Sequence, residues 1–259
     1  MKVVIFAGGI GSRITEESHL KPKPMIEIGD KPILWHIMKI YSSQGFNDFI
    51  ICLGYKGFVI KEYFLNYYLH NSDITINLNN NNVEAHYSNS ESFKVTLIDT
   101  GLGTKTAGRL LRVKDHIGDE DFMLTYGDGV ADIDLRRLLE FHKLHGRIAT
   151  VTAVKPPPQY GGMHLGDDNM VTRFREKSED DQVWINGGFF VLKPQVFDFL
   201  NDGADNIMWE DYPLENLSRA GELFAYKHKG FWKCMDAMRD KIVLDELWNN
   251  NKAKWKIWE

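Results

Sequence analysis

Residues 2–13 read KVVIFAGGIGSR, an apolar run that ends in a cluster of glycines. The five consecutive apolar residues from Val3 to Ala7 are typical of a strand that is buried on both faces, as in a parallel sheet. Glycines after such a strand let the backbone turn tightly and approach a ligand closely. The stretch therefore predicts the first strand of an α/β sheet, followed by a loop at its carboxyl end.

The next segments alternate between helical and strand patterns. Residues 32–45 have apolar residues at helical spacing, with Pro32 in the first turn and Gly45 at the end. Residues 48–53, DFIICL, form a second apolar strand, and residues 56–70 form an aromatic-rich helical segment. This βαβα order predicts the α/β fold class.

Further strands and helices are predicted along the rest of the chain. The predicted strands are a hairpin over 74–87 and single strands over 94–98, 121–126, 148–154, 171–175 and 188–192. The predicted helices run from an Asp134 cap to Gly146 and over about 195–200, 214–220 and 236–249. Prolines 156–158 cannot continue a strand. We therefore expect one domain over residues 1–259, with a first lobe over about 1–155 and a second over about 156–259.

Composition and charge exclude several classes of protein. The 259 residues are 43% hydrophobic and carry a net charge of −5, so there is no positive excess for binding a nucleic-acid backbone. No apolar run reaches the roughly 18 residues of a membrane-spanning helix. The two cysteines, Cys52 and Cys234, are too few for a disulfide framework or a zinc site and are expected to be buried free thiols. We expect a cytoplasmic protein without nucleic-acid or membrane partners.

The glycine loop GGIGSR is suited to binding an anion through its backbone amides. It does not match GxxxxGK[ST], the phosphate-binding loop of many nucleotide hydrolases, because no Lys followed by Ser or Thr stands at that spacing. The dinucleotide-binding loop fails as well, because Ile14 replaces its third glycine. A phosphate-containing substrate is predicted, and an ordinary tight turn is the alternative.

Two charged residues strengthen the phosphate interpretation. Lys23 lies between two prolines in KPKPM, which restrict the backbone around it and direct its ammonium group. Asp128 lies between two glycines where a predicted strand ends, at the edge where α/β sheets bind ligands. A carboxylate there, together with substrate phosphates, is suited to Mg²⁺. The alternatives are an extended surface linker for KPKPM and a turn residue for Asp128.

These segments together resemble the sugar-1-phosphate nucleotidyltransferases. CLGYKG, LIDTG, GRLLRV, INGGFFVL and FWKCMDAMRDK continue the likeness, so it covers nearly the whole chain. The resemblance implies a Rossmann-like mixed sheet flanked by helices, the nucleotide-diphospho-sugar transferase fold. The chain departs from the usual pattern at Ser12, where Thr is common, and at Ser178, where Pro is common.

The resemblance also implies roles for particular residues. The residues implied to bind the nucleotide are Phe6, Gly8, Gly9, Gly11, Ser12, Arg13, Lys23, Thr104, Arg109 and Gly127. Those implied for the sugar phosphate are Tyr160, Gly161, Glu176, Lys177, Asn186, Gly187 and Gly188. Arg13, Lys23 and Asp128 are the implied catalytic residues. Asp128 is implied to hold the metal with Asp236, which by itself would be interpreted as a helix N-cap.

The activity implied by the resemblance is synthesis of CDP-glucose and pyrophosphate from CTP and α-D-glucose 1-phosphate, for dideoxyhexoses of O-antigen-type polysaccharides. The alternatives are thymidylyl or uridylyl transfer on the same scaffold, or a non-catalytic subunit that senses sugar nucleotides. The aromatic-rich stretches over 63–68 and 248–258 are expected to pack in the core, with a subunit interface as the alternative. A homo-oligomer would agree with the resemblance.

Overall fold

The computed structural model describes residues 1–11, 14, 19, 21–156, 162–165, 170–175, 183–200 and 203–259, with only the backbone over 162–165 and 171–175. The strands of this part of the chain are β1 (Lys2–Phe6), β2 (Glu27–Ile28), β3 (Lys31–Pro32), β4 (Asp48–Leu53), β5 (Ser72–Asn77), β6 (Asn82–Ser88), β7 (Lys94–Asp99), β8 (Phe122–Tyr126), β9 (Gly129–Ala131), β10 (Ala149–Val154), β11 (Gly162–Leu165), β12 (Val171–Arg175), β13 (Ile185–Leu192), β14 (Leu223–Lys227) and β15 (Trp232–Cys234). Its α-helices are α1 (Ile33–Ser42), α2 (Gly57–His70), α3 (Thr106–Arg112), α4 (Lys114–Ile117), α5 (Leu135–His145), α6 (Tyr212–Arg219) and α7 (Met238–Asn249).

A seven-stranded sheet in the order β14-β10-β13-β8-β1-β4-β7 forms the centre of the fold. β1 is parallel to both of its neighbours, and Val3 pairs with Phe49 on one side and Met123 on the other. β13 is antiparallel to β8 and β10, so the sheet is mixed. The predicted α/β class is confirmed, and the carboxyl ends of β1, β4 and β8 meet at one edge.

The two faces of the sheet are covered by different helices. Side chains alternate along β1, so Val3 and Ile5 face one core, which contains apolar residues of α1, α5 and α7. Val4 and Phe6 face a second core, which contains apolar residues of α3 and α6. Burial on both faces explains why the first strand is an uninterrupted apolar run.

Several predicted elements are confirmed with their caps. α5 begins after Asp134, whose carboxylate accepts a hydrogen bond from the backbone N–H of Arg137, and it ends at Gly146 with φ of 67°. The predicted hairpin is formed by β5 and β6. Trp255 is fully buried in the core, as predicted, whereas Leu65 of α2 is exposed.

Other elements differ from the prediction. The helix expected over 195–200 is a 3-10 helix over Pro194–Phe199, and the strand expected from Gly188 begins at Ile185. The N-cap interpretation of Asp236 is wrong, because α7 begins after Ala237. The carboxylate of Asp240 accepts the backbone N–H groups of Asp236 and Ala237, which leaves the Asp236 side chain available for other contacts.

Six strands and two α-helices of the described residues were not predicted, namely β2, β3, β9, β11, β14, β15, α3 and α4. α3 contains a glycine and is short, and its first turn depends on tertiary contacts, including a hydrogen bond from the backbone N–H of Lys105 to the Asp205 carbonyl at 2.8 Å. β14 is an edge strand that pairs only with β10. Within the described residues, no helix combines the length and the apolar character that crossing a membrane requires.

Candidate active site

A cavity of about 700 Å³ lies at the carboxyl edge of the central sheet, where β1 and β8 end. Ligands bind at this edge in open α/β sheets. Its walls come from the glycine loop after β1, the turn after β8, the segment before α3, the KPKPM segment and Met208. Predicted nucleotide residues that line it are Phe6, Gly8, Gly9, Gly11, Lys23, Thr104, Arg109 and Gly127, together with Asp128.

Six predicted site residues lie outside the part of the chain that the structure describes. They are Ser12, Arg13, Tyr160, Gly161, Glu176 and Lys177. Their roles stay predictions.

Arg109 holds two walls of this cavity together. One guanidinium nitrogen, Nη1, donates to Thr100 Oγ1 at 2.7 Å and to the carbonyls of Leu53 and Gly101 at 2.9 Å. The other, Nη2, donates to the Gly8 carbonyl at 3.0 Å. Burial lowers the pKa of Arg109. The side chain therefore braces the glycine loop against the segment that precedes α3.

Gly8 is required by this brace. A Cβ atom on Gly8 would lie 2.1 Å from Arg109 Nη1, whereas a Cβ atom on Gly9 would meet nothing within 4 Å. The two neighbouring glycines therefore have different reasons to be glycine. Gly8 gives space to a buried cation, while Gly9 is exposed at the cavity.

The carboxylates of Asp128 and Asp236 are brought together by a small two-stranded sheet. β9 follows Asp128 and pairs with β15, so that Gly129 stands opposite Cys234. The Met235 backbone N–H also donates to the Asp128 carbonyl at 2.8 Å. The side chains that follow β8 and β15 therefore face the same point.

Lys23 lies between these two carboxylates. Its Nζ atom is 2.6 Å from Asp128 Oδ2 and 2.9 Å from Asp236 Oδ1. The segment is a 3-10 turn over Lys23–Met25 that follows an extended Pro22, so the proline-flanked lysine is directed into the site. Burial lowers the pKa of Lys23, but the carboxylates offset this, and the net effect raises the pKa.

Cys234 differs from the prediction of a buried thiol in apolar surroundings. It is half-buried, and its sulfur lies within 4.8 Å of the carboxylate oxygens of Asp128 and Asp236. Burial and the charge of Asp128 raise the pKa of the Cys234 thiol, so the group is neutral near pH 7. Two carboxylates with a neutral thiol form a donor set in which the oxygens suit a hard divalent cation. Cys52 is fully buried, as predicted.

The predicted sugar-phosphate segment over 186–188 joins the cavity through Tyr126. The Asn186 amide nitrogen, Nδ2, donates to the Tyr126 hydroxyl at 3.2 Å, and Asn186 Oδ1 accepts the backbone N–H of Gly188. Gly188 has φ of 81°, and a Cβ atom there would lie 2.6 Å from the Tyr126 ring. Because Tyr126 lines the cavity, the beginning of β13 is next to it.

Sequence reasoning missed Tyr126 and Met208 as cavity residues. Tyr126 precedes the GDG turn and could have been found as the last residue of β8. Met208 follows a loop far along the chain and has no sequence signal, since only the contacts between α3 and residues 204–209 bring it to the cavity.

The sequence was compared with known families once this geometry was clear. The family model described as nucleotidyl transferase matches residues 2–233. The chain belongs to the nucleotidyl transferase family. Among its relatives in this family is the glucose-1-phosphate cytidylyltransferase of Salmonella typhi, which is 52% identical over 260 residues and is covered completely, as is this chain. The family resemblance stated from the sequence is confirmed.

Solved structures agree with this nucleotidyl transferase fold. HddC from Yersinia pseudotuberculosis superposes with a TM-score of 0.69 at 23% identity, covering 95% of this chain and 99% of that one. UDP-glucose pyrophosphorylase complexed with UDP-glucose superposes with a TM-score of 0.68 at 17% identity, covering 96% and 98%. The expected nucleotide-diphospho-sugar transferase fold, a mixed sheet flanked by helices, is therefore confirmed.

Proposed function

We propose that this chain transfers the cytidylyl group of CTP to α-D-glucose 1-phosphate, forming CDP-glucose and releasing pyrophosphate. The observation that carries the proposal is the full-length 52% identity to a glucose-1-phosphate cytidylyltransferase. It is supported by the site, where the glycine loop, Lys23 and Asp128 line one cavity and Lys23 also contacts Asp236. This is the equipment that a reaction between two polyanions needs.

In the proposed reaction, a phosphate oxygen of glucose 1-phosphate attacks the α-phosphorus of CTP. One P–O bond forms, the bond between the α-phosphorus and the bridging oxygen breaks, and pyrophosphate leaves with that oxygen. The attacking group is already an anion, so no side chain has to remove a proton or form a covalent intermediate. The residues therefore act by binding, alignment and charge compensation.

Each part of the cavity has a proposed task in this reaction. The backbone of the loop over 8–11, with Ser12 and Arg13, binds the phosphates of CTP. Lys23 compensates charge at the phosphates, and Thr104 borders the nucleotide. Because its guanidinium group donates to Gly8, Leu53, Thr100 and Gly101, Arg109 is proposed to contribute by fixing the loops that contact CTP.

We propose that glucose 1-phosphate binds beside Tyr126, at the beginning of β13. Asn186, Gly187 and Gly188 contribute from that strand, and Tyr160, Gly161, Glu176 and Lys177 are proposed to complete this half of the site. Lys177 would pair with the sugar phosphate. Gly127, which lines the cavity next to Asp128, is proposed to lie beside the α-phosphate.

Asp128 and Asp236 are proposed to hold Mg²⁺. Their carboxylate oxygens converge within 4.8 Å, and oxygen ligands with substrate phosphates are the usual environment of this ion. When bound, Mg²⁺ would neutralise charge that develops on the phosphates. The protein's own part is to hold the two carboxylates at fixed separation on β8 and β15.

We further propose that residues 1–259 act as one domain, in the cytoplasm, as a homo-oligomer that supplies CDP-glucose for dideoxyhexose synthesis. The β5–β6 hairpin supports the oligomer, because apolar side chains on it are exposed. These exposed residues are Ile74, Ile76, Leu78, Val83 and Tyr87. A second copy of this chain is the proposed occupant of the surface.

Pyrophosphate release tests the proposed reaction directly. The protein is incubated with glucose 1-phosphate and Mg²⁺, and with CTP, dTTP, UTP, ATP or GTP in separate reactions. We expect release with CTP alone and CDP-glucose as the second product. Release with dTTP or UTP instead would replace the nucleotide and keep the reaction, while silence with every nucleotide would contradict catalysis on glucose 1-phosphate and favour a sensing role.

A further inference from the structure

Lys23 uses the same carboxylate oxygens that a divalent cation would need. Its Nζ atom bridges Asp128 Oδ2 at 2.6 Å and Asp236 Oδ1 at 2.9 Å. The lysine side chain is only 14% exposed, so it is packed in this arrangement. The three groups together carry one net negative charge, whereas the two carboxylates without the lysine would carry two.

We infer that Lys23 is an internal counter-cation, which keeps divalent metal out of the free protein and leaves the two carboxylates when the nucleotide binds. The inference rests on the proposed function, because the phosphates of the nucleotide are the new partners of the ammonium group. It goes further by making metal binding dependent on the nucleotide.

The location of Lys23 makes this exchange possible. Lys23 lines the same cavity as Gly8, Gly9 and Gly11, so phosphates bound at the loop would share that cavity with the ammonium group. A triphosphate is a stronger partner for a lysine than two carboxylates that already share it, since it brings several negative charges to one place. Once the ammonium group turns to the phosphates, Asp128 and Asp236 offer two full charges to a metal ion.

The exchange links the two binding events thermodynamically. Whatever increases the affinity of the protein for metal in the presence of nucleotide also increases its affinity for nucleotide in the presence of metal. The ammonium group of Lys23 balances the repulsion between the two carboxylates, whose oxygens lie within 4.8 Å of each other.

Binding of Mn²⁺ to the free protein, followed by electron paramagnetic resonance, tests the inference without turnover. We compare the wild type with Lys23→Met, which keeps the length and apolar stem and removes the charge. We expect Mn²⁺ to bind Lys23→Met about tenfold more tightly or better, since a positive charge less than 3 Å from the ligands opposes the metal strongly. Lys21→Met is the control, because Lys21 pairs with Glu27 outside the site, and its Mn²⁺ affinity should equal that of the wild type.

Two further variants guard against a misfolded or unrelated site. Lys23→Arg keeps a cation between the carboxylates and should bind Mn²⁺ as weakly as the wild type. Lys23→Met combined with Asp128→Asn should lose the gain in affinity. Far-ultraviolet circular dichroism verifies that each variant is folded.

The outcomes separate the inference from the proposed function. Equal Mn²⁺ affinity of the folded wild type and Lys23→Met would overturn the counter-cation, whatever the nucleotide assay shows. Tighter binding in Lys23→Met, together with a wild-type Mn²⁺ affinity that rises when CTP is added, supports the whole inference. Tighter binding in Lys23→Met without any response to CTP would support the block by Lys23, overturn its release by CTP, and contradict CTP as the substrate if the pyrophosphate assay is also silent.

Discussion

At the scale of single residues, the charge of Asp128 is the feature on which the proposed reaction depends most. We expect Asp128→Asn to keep the fold and to lower turnover by about 100-fold or more, because it removes one metal-ligand charge and keeps the shape of the side chain. Pyrophosphate release and the midpoint of thermal unfolding measure the two effects. Asp134→Asn is the control, since asparagine can still cap α5, and full turnover in Asp128→Asn would contradict the metal assignment.

The two glycines after β1 give a second prediction at this scale. Gly8→Ala would push a Cβ atom to 2.1 Å from Arg109 Nη1, so we expect the free energy of unfolding to fall by about 2 kcal/mol as in other overpacked sites. Gly9→Ala meets no atom within 4 Å and should change the stability much less. Urea unfolding of both variants measures this difference. Equal losses would show that Arg109 moves aside at little cost.

At the scale of elements, the C-terminal segment is anchored on α1 around a buried histidine. His36 is fully buried; its Nε2 lies 3.0 Å from the Ile28 carbonyl and its Nδ1 accepts from Trp255 Nε1 at 3.4 Å. The ring of Trp248 packs edge to face on it at 4.6 Å. One donor and one acceptor are the needs of a neutral imidazole, so the pocket is built for the uncharged ring.

This pocket predicts a loss of stability in acid. Burial lowers the pKa of His36 to about 4, from 6.5, although the Ile28 carbonyl and the carboxylates of Asp30 and Asp245 act in the opposite direction. Between these two pH values the unfolded chain binds the proton and the folded chain does not, so stability decreases as the pH falls. From pH 7 to pH 5 the contribution of His36 is about 2 kcal/mol.

Urea unfolding at pH 7 and pH 5 measures this effect. In His36→Gln the difference between the two pH values should shrink by about 2 kcal/mol, whatever the variant does to stability at pH 7. A part of the difference should persist, because burial also lowers the pKa of His142 to about 4. The control is His116→Gln, since His116 is exposed; an unchanged difference in His36→Gln would contradict the neutral pocket.

At the scale of the whole molecule, the central sheet and the hairpin differ in how completely they are covered. The sheet has helices on both faces, whereas the β5–β6 hairpin leaves Leu78 83% exposed. If a second copy covers the hairpin, an aspartate at this position would have to be buried without a partner, which is unfavourable.

Leu78→Asp therefore tests the proposed oligomer. We expect a smaller molar mass than that of the wild type in size-exclusion chromatography with light scattering. Leu144→Asp is a matched control, because Leu144 is 87% exposed on α5 and lies outside the hairpin. A wild-type monomer, or an unchanged mass of Leu78→Asp, would show that the hairpin is not the interface.

The sequence by itself determined much of the local structure. The apolar run over 2–7, the Asp134 cap with Gly146, and the hairpin around the Asn run could all be predicted, because periodicity, capping and turn preference act over a few residues. The resemblance of GGIGSR, KPKPM and TYGDG to one family carried the site residues further. α3 and the 3-10 helix over 194–199 were missed or mistyped, since tertiary contacts rather than local preference define them.

Only the tertiary structure decided how the chemical groups meet. Lys23 and Asp236 are 213 residues apart in sequence, and the pairing of β9 with β15 brings Asp236 to Asp128. The brace of Arg109 and the half-buried thiol of Cys234 beside the carboxylates arise in the same way. Sequence spacing fixes which groups share a strand or a turn, whereas strand order and packing fix which turns share an edge. The position of Lys23 between the two carboxylates therefore follows from the folded chain, because three separate turns have to converge before their charges interact.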